Sequence, residues 1–127
     1  MAGPAKSSRE PLIIEVDYLV AEALTVIRLV GSIDSHTYDR LESEFEKLYA
    51  KGAYRIVIDM SGVGYISSAG TGVIIGALGP TRSHNGDLVL INLASEVSAV
   101  LDLLGLTPML SIAHDPETLM TFFPPVS

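Results

Sequence analysis

Short apolar runs alternate with segments whose apolar residues recur at helical spacing, and this constrains the fold of the chain more than any other feature. The runs are Tyr54–Met60, Asp87–Asn92 and Met109–Ile112, dense in Val, Ile and Leu and bounded by turn residues such as Gly52, Ser61-Gly62 and Asn85-Gly86. Runs of this kind suit strands buried on both faces, which need helices to cover them. Strand–helix–strand alternation at short spacing implies a mostly parallel sheet joined by right-handed crossovers.

Two strands precede this series. Leu12–Val20 and Leu24–Val30 have alternating, β-branched character, with Glu22-Ala23 between them as a turn. They predict a hairpin at the sheet edge. In the second, Leu24, Val26 and Arg28 share one face, and Thr25, Ile27 and Leu29 the other. A first helix is expected where Tyr38, Leu41, Phe45, Leu48 and Tyr49 recur, with Glu42, Glu44, Glu46 and Lys47 outward. Asp34 or Ser35 is expected to cap its start and Gly52 to end it. A second helix is expected from Ser67 or Ser68 to about Ser83. A third runs from Ser95 to Leu104 with Val97, Val100, Leu101 and Leu104 inward, and a last one from Pro116 to about Phe122. The expected order is β-β-α-β-α-β-α-β-α, an α/β single domain over residues 11–123, with a flexible tail at 1–10 and a C-terminal tail at 124–127.

Composition narrows the function. At 127 residues the chain fits one domain, and 48% hydrophobic content is enough for a real core. There is no Cys, which excludes disulfides, thiolate metal sites and a Cys nucleophile. The formal charge is −7 and Arg28, Arg40, Lys47, Lys51, Arg55 and Arg82 are scattered, so nucleic acid is not an expected partner. Val73–Leu78 is the longest apolar stretch near a helix and is far shorter than the roughly 20 residues of a membrane span. No cofactor and no metal is expected.

The chemically unusual segment is Asp59–Gly79. Its predicted helix holds Gly70, Gly72, Gly76 and Gly79, and each internal Gly costs about 1 kcal/mol relative to Ala. Gly72, Gly76 and Gly79 follow helical spacing, so one stripe is bare. Either tight packing within the domain or access for a partner explains Gly76 and Gly79, whereas Gly70, in the first turn, points to access. Ser67-Ser68 opens the helix. One of them serves as N-cap, and a phosphate at that corner would be tolerated, because free N–H groups and the helix dipole favour an anion. Enzyme readings fit less well. The spacing G-x-G-x-x-x-G departs from a dinucleotide fingerprint, no Lys follows as in a phosphate loop, and G-x-S-x-G is absent. His36, His84 and His114 lack metal-ligand spacing.

Asp59-Met-Ser-Gly-Val-Gly-Tyr-Ile-Ser-Ser-Ala-Gly-Thr-Gly-Val resembles the signature of STAS domains, and among them most closely that of bacterial anti-sigma factor antagonists. Gly31-Ser-Ile-Asp-Ser-His-Thr37 resembles a second element of that family, and Leu101–Leu106 the segment before its last strand. The likeness covers about residues 11–122. It implies a mixed, mostly parallel sheet with helices mainly on one side. It implies a cytoplasmic, non-enzymatic regulator of transcription that works by partner switching: the unphosphorylated form binds an anti-sigma factor that is also a Ser/Thr kinase, phosphorylation ejects it, and a Ser/Thr phosphatase resets it. The phosphorylated Ser of the family falls on Ser68 and an acidic loop residue on Asp34. The implied partner surface comprises Asp34, Ser35, Ser67, Ser68, Ala69, Gly70, Thr71 and Gly72. Where the family has Asp before the acceptor, this chain has Ser67, an alternative acceptor. The other role open to such a domain is a non-switching scaffold subunit of a stress-signalling assembly.

Overall fold

The computed structural model describes residues 11–125; the expected tail at 1–10, and residues 126–127 of the expected tail at 124–127, lie outside the described residues. Five strands form one sheet in chain order, β1 (Ile13–Leu19), β2 (Leu24–Val30), β3 (Arg55–Gly62), β4 (Asp87–Ile91) and β5 (Ser111–Ala113). β1 and β2 make the antiparallel edge hairpin, pairing Ile13 with Val30 and Leu19 with Leu24. The remaining pairs are parallel, with Thr25 beside Ile56, Arg55 beside Asp87 and Val89 beside Ser111.

Between the parallel strands run α1 (Tyr38–Ala50), α2 (Ser68–Gly76) with α3 (Leu78–Ser83), and α4 (Ser95–Leu103); a 3-10 turn (Thr107–Met109) leads into β5 and α5 (Pro116–Thr121) closes the chain. Crossovers of one hand, taken in chain order, place α1 to α4 on one face. There Ile27, Leu29, Ile56, Ile58, Leu88 and Leu90 of the sheet meet Leu41 and Phe45 of α1, Val73 and Ile74 of α2, and Val97 and Leu101 of α4. The other face carries a smaller cluster, Leu24, Val57, Val89, Ala113 and Phe123, with Leu119 of α5 packed against it.

Phe123 is fully buried. Arg55 binds the C-terminal segment to the hairpin turn, donating to the carbonyls of Ala23 (3.1 Å), Glu22 (3.0 Å) and Pro124 (2.9 Å). Its guanidinium also lies 5.4 Å from the Phe123 ring centre. The Phe122-Phe123 segment is therefore part of the core.

Three expectations are corrected. The second helix is two helices: Pro80 has no N–H to give the Gly76 carbonyl, so α2 stops at Gly76 and α3 restarts at Leu78. Leu104 is not buried but half exposed: it caps α4, of which only Val97 and Leu101 are fully buried, and the chain turns away after it at Gly105, φ +72°. The N-cap of α1 is Thr37 rather than Asp34 or Ser35. The expected end of α1 at Gly52 holds, with φ +76° there.

Candidate functional site

β3 ends at Gly62, and the chain then turns through Val63–Ser67 into α2. The preceding loop, Gly31–Thr37, lies alongside. Gly31 N–H donates to the Gly62 carbonyl (3.0 Å), Ile33 N–H to the Tyr65 carbonyl (3.1 Å) and Ser67 N–H to the Ile33 carbonyl (2.9 Å). Ile33 and Ile66 pair as an isolated parallel bridge, and both side chains are buried. Two loops far apart in sequence thus form one ledge at the carboxyl end of the sheet. Loop composition hides this anchoring, because the two isoleucines lie 33 residues apart in the chain.

Gly70 makes the close fit possible. A Cβ on it would sit 2.5 Å from the Ile33 carbonyl oxygen and 2.7 Å from Ile33 Cγ2. The Gly in the first turn therefore serves packing rather than access. The opposite holds at Gly72, Gly76 and Gly79, where a Cβ would meet nothing within 4 Å. Tight packing inside the domain, one of the two explanations offered for Gly76 and Gly79, is excluded among the described residues.

The two serines do different things. Ser67 is the N-cap of α2, with extended backbone (φ −93°, ψ 176°), and its Oγ accepts from Gly70 N–H at 3.2 Å. Its carbonyl accepts from both the N–H (2.9 Å) and the Oγ1 (2.8 Å) of Thr71. Ser68 is the first helical residue and is exposed. Among the described residues its hydroxyl has no hydrogen-bond partner.

Asp34 is buried and holds its own loop: its carboxylate accepts from His36 N–H at 2.8 Å, while Thr37 Oγ1 donates to the Ser32 carbonyl (2.8 Å). The structure thus divides the expected surface. Ser35, Ser68 and Gly72 are exposed, Ser67 and Ala69 are half-buried, and Asp34, Gly70 and Thr71 are buried beneath them.

Asp59, the first residue of the motif, is a staple rather than a surface group. Burial pushes its carboxyl up, but hydrogen bonds from Ser61 N–H (3.0 Å) and Asn92 Nδ2 (3.1 Å) outweigh it and leave it below the usual carboxylate range. It ties β3 to the residue that follows β4. His36 is exposed, its ring 3.8 Å from Asp34. His84 is also exposed and stacks on Tyr54 at 3.9 Å, remote from Ser68 in the chain. Among the described residues no group of three His, Asp or Glu side chains could hold a metal ion, and no helix is long and apolar enough to cross a membrane.

The sequence pattern of the STAS domain matches residues 15–119. An anti-sigma-B factor antagonist of Listeria monocytogenes is 29% identical over 88 residues, 69% of this chain and 77% of that protein. The crystal structure of an anti-sigma factor antagonist from Mycobacterium paratuberculosis superposes with a TM-score of 0.75 at 19% identity, over 88% of this chain and 93% of that one. The Bacillus cell fate determinant SpoIIAA in its phosphorylated form superposes with a TM-score of 0.64 at 22% identity, over 86% and 98%.

Proposed function

Since the chain belongs to the STAS domain family, we propose that it is an anti-sigma factor antagonist whose binding to an anti-sigma factor is switched by phosphorylation of Ser68. The observation that carries this reading is the division of labour between the two serines. The Ser67 hydroxyl is committed to the helix cap and half-buried, whereas the Ser68 hydroxyl is exposed and free among the described residues. Relatives named as anti-sigma factor antagonists and a structural neighbour described in a phosphorylated form support it.

The chain acts as substrate and binding partner, not as enzyme. A kinase that is itself the anti-sigma factor supplies ATP; Ser68 Oγ forms the bond to the γ-phosphorus, ADP leaves, and the hydroxyl proton passes to a base of the kinase. A phosphatase returns the hydroxyl and releases inorganic phosphate. The phosphate adds about −1.5 to −2 charges at neutral pH. At the N-terminus of α2 the helix dipole tolerates that charge, so the fold survives while a surface complementary to the neutral hydroxyl does not. The setting is the bacterial cytoplasm.

The test is to recover the kinase bound to this chain in its native cells, purify it, and incubate it with ATP and the Ser67→Ala and Ser68→Ala variants. Ser67→Ala loses a cap worth about 1 kcal/mol and is still phosphorylated. Ser68→Ala is not phosphorylated and stays bound. Tandem mass spectrometry placing the phosphate on Ser67 would reverse the assignment.

A further inference from the structure

Beside Ser68 a groove of about 160 Å³ runs between α1 and α2. Its floor is apolar, from Phe45, Val73 and Ala77, all buried. One wall is the acidic edge of α1, Glu42 and Glu46. The other is bare backbone at Gly72 and Gly76. Ser68, Gly72 and Gly76 follow one another at four-residue spacing and are all exposed, so the groove continues the surface that presents the Ser68 hydroxyl.

We infer that this groove receives a helix of the anti-sigma factor that carries an Arg or Lys, its backbone lying against Gly72 and Gly76 and its cation meeting Glu42 and Glu46. The inference rests on the Ser68 reading above and names the chemistry of the partner. Two features of the groove oppose the stability of the isolated domain and are explained together by such an occupant. Gly72 is a helix-weakening residue with open space where its side chain would be. Glu42 and Glu46 are like charges at i, i+4, a spacing that destabilises a helix, and among the described residues neither has an ion-pair partner. Helices approach each other as closely as the side chains at the crossing permit. A wall without Cβ atoms lets a partner backbone come close, and the glutamates select a basic one over the rest of an acidic surface.

The test uses the purified kinase that phosphorylates Ser68 and the full chain. Gly72→Leu fills the groove without touching Ser68, and Glu42→Gln/Glu46→Gln removes its charge without changing its shape. Each lowers affinity roughly tenfold, the equivalent of about 1.4 kcal/mol. Binding of the unsubstituted chain weakens with salt, and the double Gln variant loses part of that dependence. Melting curves verify that each variant folds. Should Gly72→Leu not fold, the charge variant and its salt dependence decide. If the unsubstituted chain binds and is released by Ser68 phosphorylation while the folded variants keep its affinity within twofold, the groove is not the docking site and the Ser68 reading stands. If no kinase binds the unsubstituted chain, both fall together.

Discussion

Replacing Gly70 and Gly72 by Ala in turn separates two glycines that look equivalent in the sequence. At Gly70 the new methyl would lie 2.5 Å from the Ile33 carbonyl oxygen, and that oxygen already accepts from Ser67 N–H. Backbone on both sides cannot rotate away, so α2 and the Gly31–Thr37 loop must part. Overpacking of this kind costs about 1–3 kcal/mol, and loss of the Ser67–Ile33 hydrogen bond adds about 1 kcal/mol. The better helix propensity of Ala offsets about 1 kcal/mol. The net is about 2 kcal/mol of destabilisation, or a fall in Tm of about 8 °C for a chain of this size. At Gly72 nothing lies within 4 Å of the new methyl, and only the propensity term remains. Gly72→Ala should raise stability by about 0.5–1 kcal/mol. Thermal and urea denaturation followed by circular dichroism measure both. A shift of the same sign in the two variants would refute the claim that Gly70 alone is held by the neighbouring loop.

Other consequences are as direct. Phe123→Ala removes a fully buried ring and should cost about 3–5 kcal/mol, read as a lower urea midpoint; an unchanged midpoint would mean the C-terminal segment is not part of the core. Asp59 is held below the usual carboxylate range in the fold, so its contribution to stability is present above that range and lost as pH falls through the lowered value. Carboxyl carbon NMR titration should show its midpoint below that of an ordinary Asp, and Asn92→Ala should move it upward; a midpoint already at the ordinary value would contradict the staple.

The hairpin, the three crossovers of the chain and the parallel strands were legible because each depends on local periodicity. Leu24 is buried on one face of the sheet and Ile27 and Leu29 on the other, as their pattern requires. What was not legible depends on partners distant in sequence or on a single missing donor. The break at Gly76 follows from Pro80, four residues on, and the apolar periodicity continues across it. Leu104 has a core-like spacing and helical backbone, yet the chain turns away after it at Gly105 and leaves it half exposed. At the site, Ser67 and Ser68 were correctly placed at a helix start, but which one caps and which one faces solvent is set by one residue of register. Asp34 was picked out as a partner-facing acid; in the fold its carboxylate holds its own loop. The ledge joining Ile33 to Ile66 and the groove lined by Glu42 and Glu46 combine segments about 30 residues apart, and no local pattern links them.

The proposed switch rests on the state of one hydroxyl, that of Ser68. The most direct measurement is the affinity of the purified kinase for the chain before and after stoichiometric phosphorylation, with the phosphate located by tandem mass spectrometry and the fold monitored by thermal melting. The expected result is one phosphate on Ser68, a melting transition unchanged within about 3 °C, as for a perturbation below about 1 kcal/mol, and affinity lowered at least roughly tenfold. Equal affinity for the two forms, or release caused by unfolding of α2, would contradict it.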